Sequence, residues 1–264
     1  MATPLIEIDR AGKSFDGGKS FAVRDVTIAV EPGAFVAVVG ASGSGKTTTL
    51  KFINRLIEPD VGEVRIEGTS VRSIAPHLLR RRIGYVFQGI GLFPHFKVGE
   101  NIAITPQLLG WGRAEIAARI AELLDLVGLP QSYAARMPGA LSGGEAQRVA
   151  VARALAARPR IMLMDEPFGA LDPLTRDALA EAYRELHRRL GLSTIMVTHD
   201  MQEALLLADR IVVMSGGRVL AQDTPRALMA APGSAEVAAL LAMPRRQAER
   251  IRMLMAEGAE ARHG

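Results

Sequence analysis

The chain has 264 residues and no cysteine, so it can bury a full core in one large domain or two small ones, while disulfides and thiolate metal sites are excluded. Its net charge of +4 is mild, and its arginines are scattered, with small clusters at Arg80–Arg82 and Arg245–Arg246. Such clusters read as solvated faces or as contacts with an anionic membrane surface or partner, ahead of nucleic-acid binding.

The first third is rich in strand patterns. Leu5–Asp9 and Val26–Val30 alternate, with the turn signal Asp16-Gly-Gly18 between them. Glu31-Pro-Gly33 turns the chain into Ala34–Val39, a short apolar and β-branched run expected as a buried parallel strand. Helical spacing follows over Thr48–Ile57. Gly62–Gly68 reads as another alternating strand, and Ile83–Gln88 as a buried one. From about Arg113 to Arg158 the period is helical: Ile116, Ile120, Leu123, Leu124 and Val127 share a face that Gly128-Leu-Pro130 ends. A second helix starts near Ser142 and runs to Leu155. Buried strands return at Ile161–Asp165, Ser193–Thr198 and Arg210–Met214, with a helix opened by Asp172-Pro173 between the first two. Met162, Met164, Met196 and Met214 fall in these strands as core residues. Alternating strands and helices predict an α/β fold with a mostly parallel sheet flanked by helices, an antiparallel β portion at the N-terminus and an inserted α-helical subdomain at about residues 92–157. The domain is expected over 1–243, with a helical tail over 244–264 in which Met253 and Met255 suit an interface. No leader is visible at Met1-Ala-Thr-Pro4 and no apolar run nears the ~18 residues of a spanning helix. The expectation is a cytosolic chain, or one held to a membrane through something else.

Between the strand 34–39 and the following helix lies Gly40-Ala41-Ser42-Gly43-Ser44-Gly45-Lys46-Thr47-Thr48, a G-x-x-x-x-G-K-[ST] phosphate loop in its required strand–loop–helix context. Its glycines let backbone N–H groups turn inward, and the helix N-terminus completes an anion cradle. Lys46 would reach the β- and γ-phosphates of a nucleoside triphosphate, and the Thr47 hydroxyl would ligate Mg²⁺. Asp165 and Glu166 end an apolar strand, where parallel sheets bind ligands. Asp165 suits Mg²⁺, and Glu166 could deprotonate an attacking water; a plain Asp-Glu-Pro turn is the alternative. Ser142 is a good N-cap, and Gly143 and Gly144 bare the first-turn N–H groups, a second anion-binding terminus.

The phosphate loop, Gln88, Leu141-Ser142-Gly143-Gly144-Glu145, Asp165-Glu166, Ala170-Leu171-Asp172 and His199 occur in the order and spacing of ATP-binding subunits of ABC transporters. The likeness runs from about Leu5 to Leu241 and implies a P-loop NTPase core and an ATPase. It implies that Phe15 stacks on adenine, where a core aromatic is the alternative, and that Gln88 ligates Mg²⁺, where a buried or capping glutamine is the alternative. Asp172 resembles an aspartate that crosses a dimer interface, although a helix N-cap would look the same. His199 would contact the γ-phosphate, although a strand-end histidine is otherwise structural. Ser142, Gly143 and Gly144 would meet ATP held by the other subunit of a head-to-tail homodimer; Glu145 stands where many members have glutamine. Apolar and aromatic residues crowd Gln88–Asn101, the segment that separates importer-type members, which fits a surface for transmembrane permease subunits; a plain hydrophobic turn under the insert is the alternative. Gln88–His95 with Pro106–Trp111 is similar to the branch importing osmoprotectants such as glycine betaine and choline, which implies an extracytoplasmic substrate-binding protein and a peripheral place on the cytoplasmic face of the membrane. No nucleic acid is expected as a partner. Relatives in that branch often append a pair of small regulatory domains; the chain stops at Gly264, so such built-in sensing is expected to be absent. An importer of another small solute such as amino acids, or a soluble ATP switch, is the alternative. A small-molecule kinase would explain the loop but neither Ser142–Glu145 nor His199.

Overall fold

A computed structural model of the chain describes residues 3–244, with 246 and 249, and the features below belong to those residues. The tail expected over 244–264, including Met253 and Met255, and Arg245 of the second arginine cluster lie outside them, apart from those few positions. No helix among the described residues is long and apolar enough to cross a membrane.

Two sheets organise the fold. Strands β1 (Ile6–Lys13), β2 (Val23–Val30), β4 (Val61–Ile66) and β5 (Thr69–Ser70) form an antiparallel sheet in the order β2-β1-β4-β5. The second sheet is built from β3 (Phe35–Val39), β6 (Ile83–Val86), β7 (Ile161–Asp165), β8 (Ser193–Thr198), β9 (Arg210–Ser215) and β10 (Arg218–Asp223), in the order β10-β9-β3-β8-β7-β6. Its four pairings from β9 to β6 are parallel, and β10 closes one edge antiparallel.

The parallel strands lack alternating hydropathy because both of their faces are buried. Phe35, Ala37 and Val39 enter one core with Met162, Met164 and Met196; Val36 and Val38 enter the other with Leu163, Ile195 and Val197. The first core lies under the helices of the insert and its neighbours, and the second lies between this sheet, the antiparallel sheet and α1 (Lys46–Ile53). The four strand methionines are fully buried, so packing accounts for them.

Between β6 and β7 the chain is helical: α3 (Val98–Leu108), α4 (Arg113–Leu126) and α5 (Gly143–Leu155) pack on one another. Buried Arg119 of α4 donates to the carbonyls of Leu155 (2.7 Å) and Ala156 (3.2 Å), placing a cation on the C-terminus of α5. After β7 come α6 (Pro173–Leu190), α7 (Met201–Leu207) and α8 (Pro225–Ala230); a short α2 (Pro76–Arg81) precedes β6.

Several boundaries differ from the sequence pattern. The helical spacing over 48–57 forms a helix only over Lys46–Ile53, because Arg55 takes a left-handed φ of 52° and Leu56 N turns back to the Lys51 carbonyl. Strand β6 stops at Val86, so Phe87 and Gln88 leave the sheet. The sequence pattern missed α2, α3, α7, α8 and β10; α2, α7 and α8 are too short to establish a period, and α3 carries Pro106 inside it.

Candidate functional site

Register brings the candidate residues to one edge. Val39 lies opposite Thr198, and Asp165 opposite Val197, so the loops after β3, β7 and β8 leave the sheet side by side at its C-terminal edge. The loop after β3 needs glycine twice for a specific reason. A Cβ on Gly40 would collide with the Met214 carbonyl, and Gly45, the N-cap of α1 at φ 96°, leaves only 2.5 Å between a Cβ and the Ala22 carbonyl. Lys46 opens α1 and lies over its own loop, donating to the carbonyls of Gly40 (2.8 Å) and Ala41 (2.9 Å). Burial pushes its ammonium down from the ordinary lysine range, while Glu166 and Asp165 oppose that shift.

One residue on, Thr47 Oγ1 donates to Asp165 Oδ1 at 2.9 Å. Burial pushes the Asp165 carboxyl up, and the Thr47 hydrogen bond acts in the opposite direction. Glu166 follows in a left-handed conformation (φ 46°), held by its N–H on the Val197 carbonyl at 2.9 Å. A non-glycine residue there stores strain of about 1–3 kcal/mol, and such strain gathers at functional positions. Gln88 Nε2 donates to Glu166 Oε2 at 3.2 Å, and His199 Nδ1 lies 3.5 Å from the same oxygen. Gln88 is exposed and not a packed glutamine; His199, with 62% of its side chain exposed, is not a core histidine. One carboxylate is thus bracketed by an amide and an imidazole from two other loops.

Thr47 and Asp165 offer a hydroxyl and a carboxylate that already converge, and Gln88, whose amide also carries an oxygen, is held on the neighbouring Glu166. These are hard oxygen donors with one negative charge, which suit a cation sharing its shell with phosphate and water. Among the described residues no group of three or more His, Asp or Glu could hold a metal by itself. The donor set therefore fits Mg²⁺ arriving with a nucleotide.

Ser142–Glu145 belongs to a different part of the molecule. Ser142 caps α5: Glu145 N donates to Ser142 Oγ at 3.3 Å, and Ser142 N donates to Glu145 Oε2 at 2.7 Å. Tyr133 adds a hydrogen bond to Glu145 Oε1 at 2.6 Å, and these donors hold the Glu145 carboxyl down to about 2. Among the described residues no hydrogen bond joins this terminus to the loop 40–48. It packs instead on the start of α6, where a Cβ on Gly144 would collide with the Thr175 methyl. Asp172 is the N-cap of α6, accepting from Thr175 N at 3.1 Å. Phe15 is 64% exposed and not a core aromatic; Lys13 Nζ stands 5.7 Å from its ring centre, and its loop is shaped by Asp16 accepting from Ser14 and Ser20.

Sequence reasoning missed two organising side chains. Fully buried Asn101 accepts from Phe93 N and donates to the carbonyls of Phe93, Phe96 and Lys97, so it shapes the Gln88–Asn101 segment from within. Arg153, at the far end of α5 from Ser142, donates to the carbonyls of Gly91 (2.7 Å) and Ile90 (3.3 Å). A polar residue inside an apolar helical period was the available signal in each case. Phe93 and Phe96 remain exposed on this segment, as does Phe87 just before it.

A family model described as ABC transporter matches residues 23–169. The chain is 50% identical over 230 residues to the glycine betaine uptake system ATP-binding protein YehX of Escherichia coli (strain K12), covering 87% of this chain and 74% of that one. It is 48% identical over 233 residues to the carnitine transport ATP-binding protein OpuCA of Listeria monocytogenes serotype 1/2a, covering 88% of this chain and 58% of that relative's length. Among solved structures it is similar to a dimeric post-hydrolysis state of the ATP-binding cassette MJ0796 bound to ADP and Pi, with a TM-score of 0.74, 33% identity, and coverage of 84% of this chain and 99% of that one.

Proposed function

The chain belongs to the ABC transporter family, and from that premise we propose that it is the ATP-hydrolysing subunit of an importer for osmoprotectant-type quaternary amines. The observation that carries the ATPase reading is the meeting of Thr47 and Asp165 at 2.9 Å beside a Glu166 carboxylate bracketed by Gln88 and His199. Its working form is a homodimer on membrane-spanning permease subunits, peripheral to the membrane on its cytoplasmic face, with a substrate-binding protein on the other side.

The phosphate loop receives the triphosphate of ATP, Phe15 offers its exposed ring to the adenine, and Lys46 turns from the carbonyls of its own loop to the β- and γ-phosphates. Thr47, Asp165 and Gln88 would hold Mg²⁺, which neutralises phosphate charge when bound. Glu166 takes a proton from the attacking water as the bond between the γ-phosphorus and the bridging oxygen breaks, giving ADP and phosphate. Gln88 and His199 keep that carboxylate oriented, and His199 is placed to reach the γ-phosphate. Ser142, Gly143 and Gly144 make no hydrogen bond to the chain's own loop, which supports their serving, with Asp172 nearby, the ATP held by the other subunit of a head-to-tail dimer. The Gln88–Asn101 segment, with Phe93 and Phe96 exposed and Phe87 just before it, is the permease-facing surface.

The cargo class rests on relatives named for glycine betaine and carnitine transport. Replacing Glu166 with Gln should lower ATP turnover by a factor of about 10²–10⁴ while ATP-bound dimers accumulate on size-exclusion chromatography. Undiminished turnover removes Glu166 from the base role. Reconstitution with the permease subunits should give ATP-driven uptake of betaine-like amines. Uptake of amino acids alone would refute the cargo class and leave the ATPase standing, and failure to bind any permease through Gln88–Asn101 would favour a soluble switch.

A further inference from the structure

The turn that carries His199 is held from behind by groups that the hydrolytic site itself does not use. Thr198 Oγ1 accepts from Asp200 N at 3.0 Å and donates to Glu203 Oε2 at 2.6 Å. Glu203 is 8% exposed, in the first turn of α7, and burial pushes its carboxyl up. Asp200 caps the same helix, accepting from Gln202 N (2.8 Å) and Glu203 N (3.4 Å).

Arg176 approaches this cluster from α6. Its Nη2 donates to the Leu171 carbonyl at 3.2 Å, its Nη1 lies 3.6 Å from Asp200 Oδ2, and its Nε lies 3.9 Å from Glu203 Oε1. That Nε is buried and has no hydrogen-bond partner. One guanidinium therefore spans two turns, the Leu171–Asp172 turn before α6 and the Thr198–Asp200 turn after β8. Glu166 meets the second turn directly, since His199 stands 3.5 Å from its carboxylate, and it precedes the first by a few residues of chain closed by the Leu171 N–H on the Phe168 carbonyl.

We propose that Arg176 and Glu203 are positioning residues for hydrolysis, tying the Leu171–Asp172 turn to the turn that carries His199 and so fixing His199 against Glu166. The proposal rests on the roles assigned above to Glu166 and His199. A guanidinium facing a buried carboxylate costs much to leave half-paired, so the two side chains act as a unit. Neither touches the phosphate loop, so their loss should spare ATP binding. Lysine cannot copy this span, since an ammonium cannot hold the Leu171 carbonyl and face two carboxylates from one plane.

The test compares Glu203→Gln, Arg176→Lys and their combination in the full chain, with ATP turnover, KM for ATP and thermal midpoint measured on each. Glu203→Gln keeps the shape and an acceptor oxygen for Thr198 while removing the charge and turning an amide N–H toward Arg176, and the thermal midpoint reads whether the fold is kept. Each single change should lower kcat about ten-fold, a loss of about 1.4 kcal/mol, with KM and the melting midpoint little changed. The double variant should be no slower than the slower single variant. Unaltered kcat in both single variants, or losses that multiply in the double, would overturn the unit. A kcat loss that follows a lowered midpoint and disappears on cooling would reduce the network to packing. A wild-type chain with no ATPase activity would instead strike the functional reading.

Discussion

Asp165 shows how a residue can work against the stability of the fold it belongs to. Burial raises its folded-state pKa above the unfolded value, so the folded protein holds that proton more tightly than the unfolded chain does. The favourable contribution is complete below the unfolded pKa and is lost as pH rises through the folded one; at neutral pH the carboxylate opposes folding. Asp165→Asn should therefore raise the melting midpoint of the nucleotide-free protein at pH 7.5 and abolish hydrolysis, and the gain should shrink as the pH is lowered through the folded pKa. A lower midpoint at pH 7.5 would show that the Thr47 hydrogen bond outweighs burial. Glu166, one residue on, adds the backbone strain of φ 46°. Its identity was legible as a carboxylate at a strand end, but neither its left-handed backbone nor its contacts with Gln88 and His199 were, because Gln88 lies 78 residues away in the chain.

At the scale of elements, the α5–α6 seam decides what the glycine pair does. Sequence reading assigns Gly143 and Gly144 to bare N–H groups at a helix start. Tertiary packing adds a second demand on Gly144, because Thr175 of α6 occupies the space a Cβ would need. Gly144→Ala should destabilise the fold by about 1–3 kcal/mol through overpacking, read by chemical denaturation. Adding Thr175→Ser, which removes the methyl that collides, should recover most of that loss; no recovery would mean that backbone freedom, and not the methyl, sets the requirement. Glu145 likewise gains a local reason: it completes the cap with Ser142 and receives Tyr133, so glutamine is not needed at that position. Helices α3 and α7 escaped the sequence reading for opposite reasons. The apolar residues around α3 look like an exposed segment until Asn101 is seen folding them, and α7 is only seven residues long.

For the whole molecule, the proposed phosphate site is half a site. The loop, Asp165, Glu166, Gln88 and His199 share one edge of the six-stranded sheet, while Ser142–Gly144 stands on the helical side, bonded to its own cap. Hydrolysis should then rise more than linearly with protein concentration while dimers are scarce, measured as specific activity across a dilution series. Strictly linear activity at concentrations where sedimentation shows monomers would rule out a shared site.

By itself the sequence determined the strands buried on both faces, the phosphate loop with its flanking strand and helix, the cap at Ser142 and the order of its motifs. Each of these is encoded within a few neighbouring residues, where periodicity, glycine and capping chemistry act directly. Only the tertiary structure decided which of those pieces meet. Thr47 reaches Asp165 across 118 residues, and Glu166 receives Gln88 and His199, because β6, β7, β8 and β3 lie side by side in one register. That register is set by the need to bury both faces of the sheet at once, a condition that no short stretch of the chain carries alone.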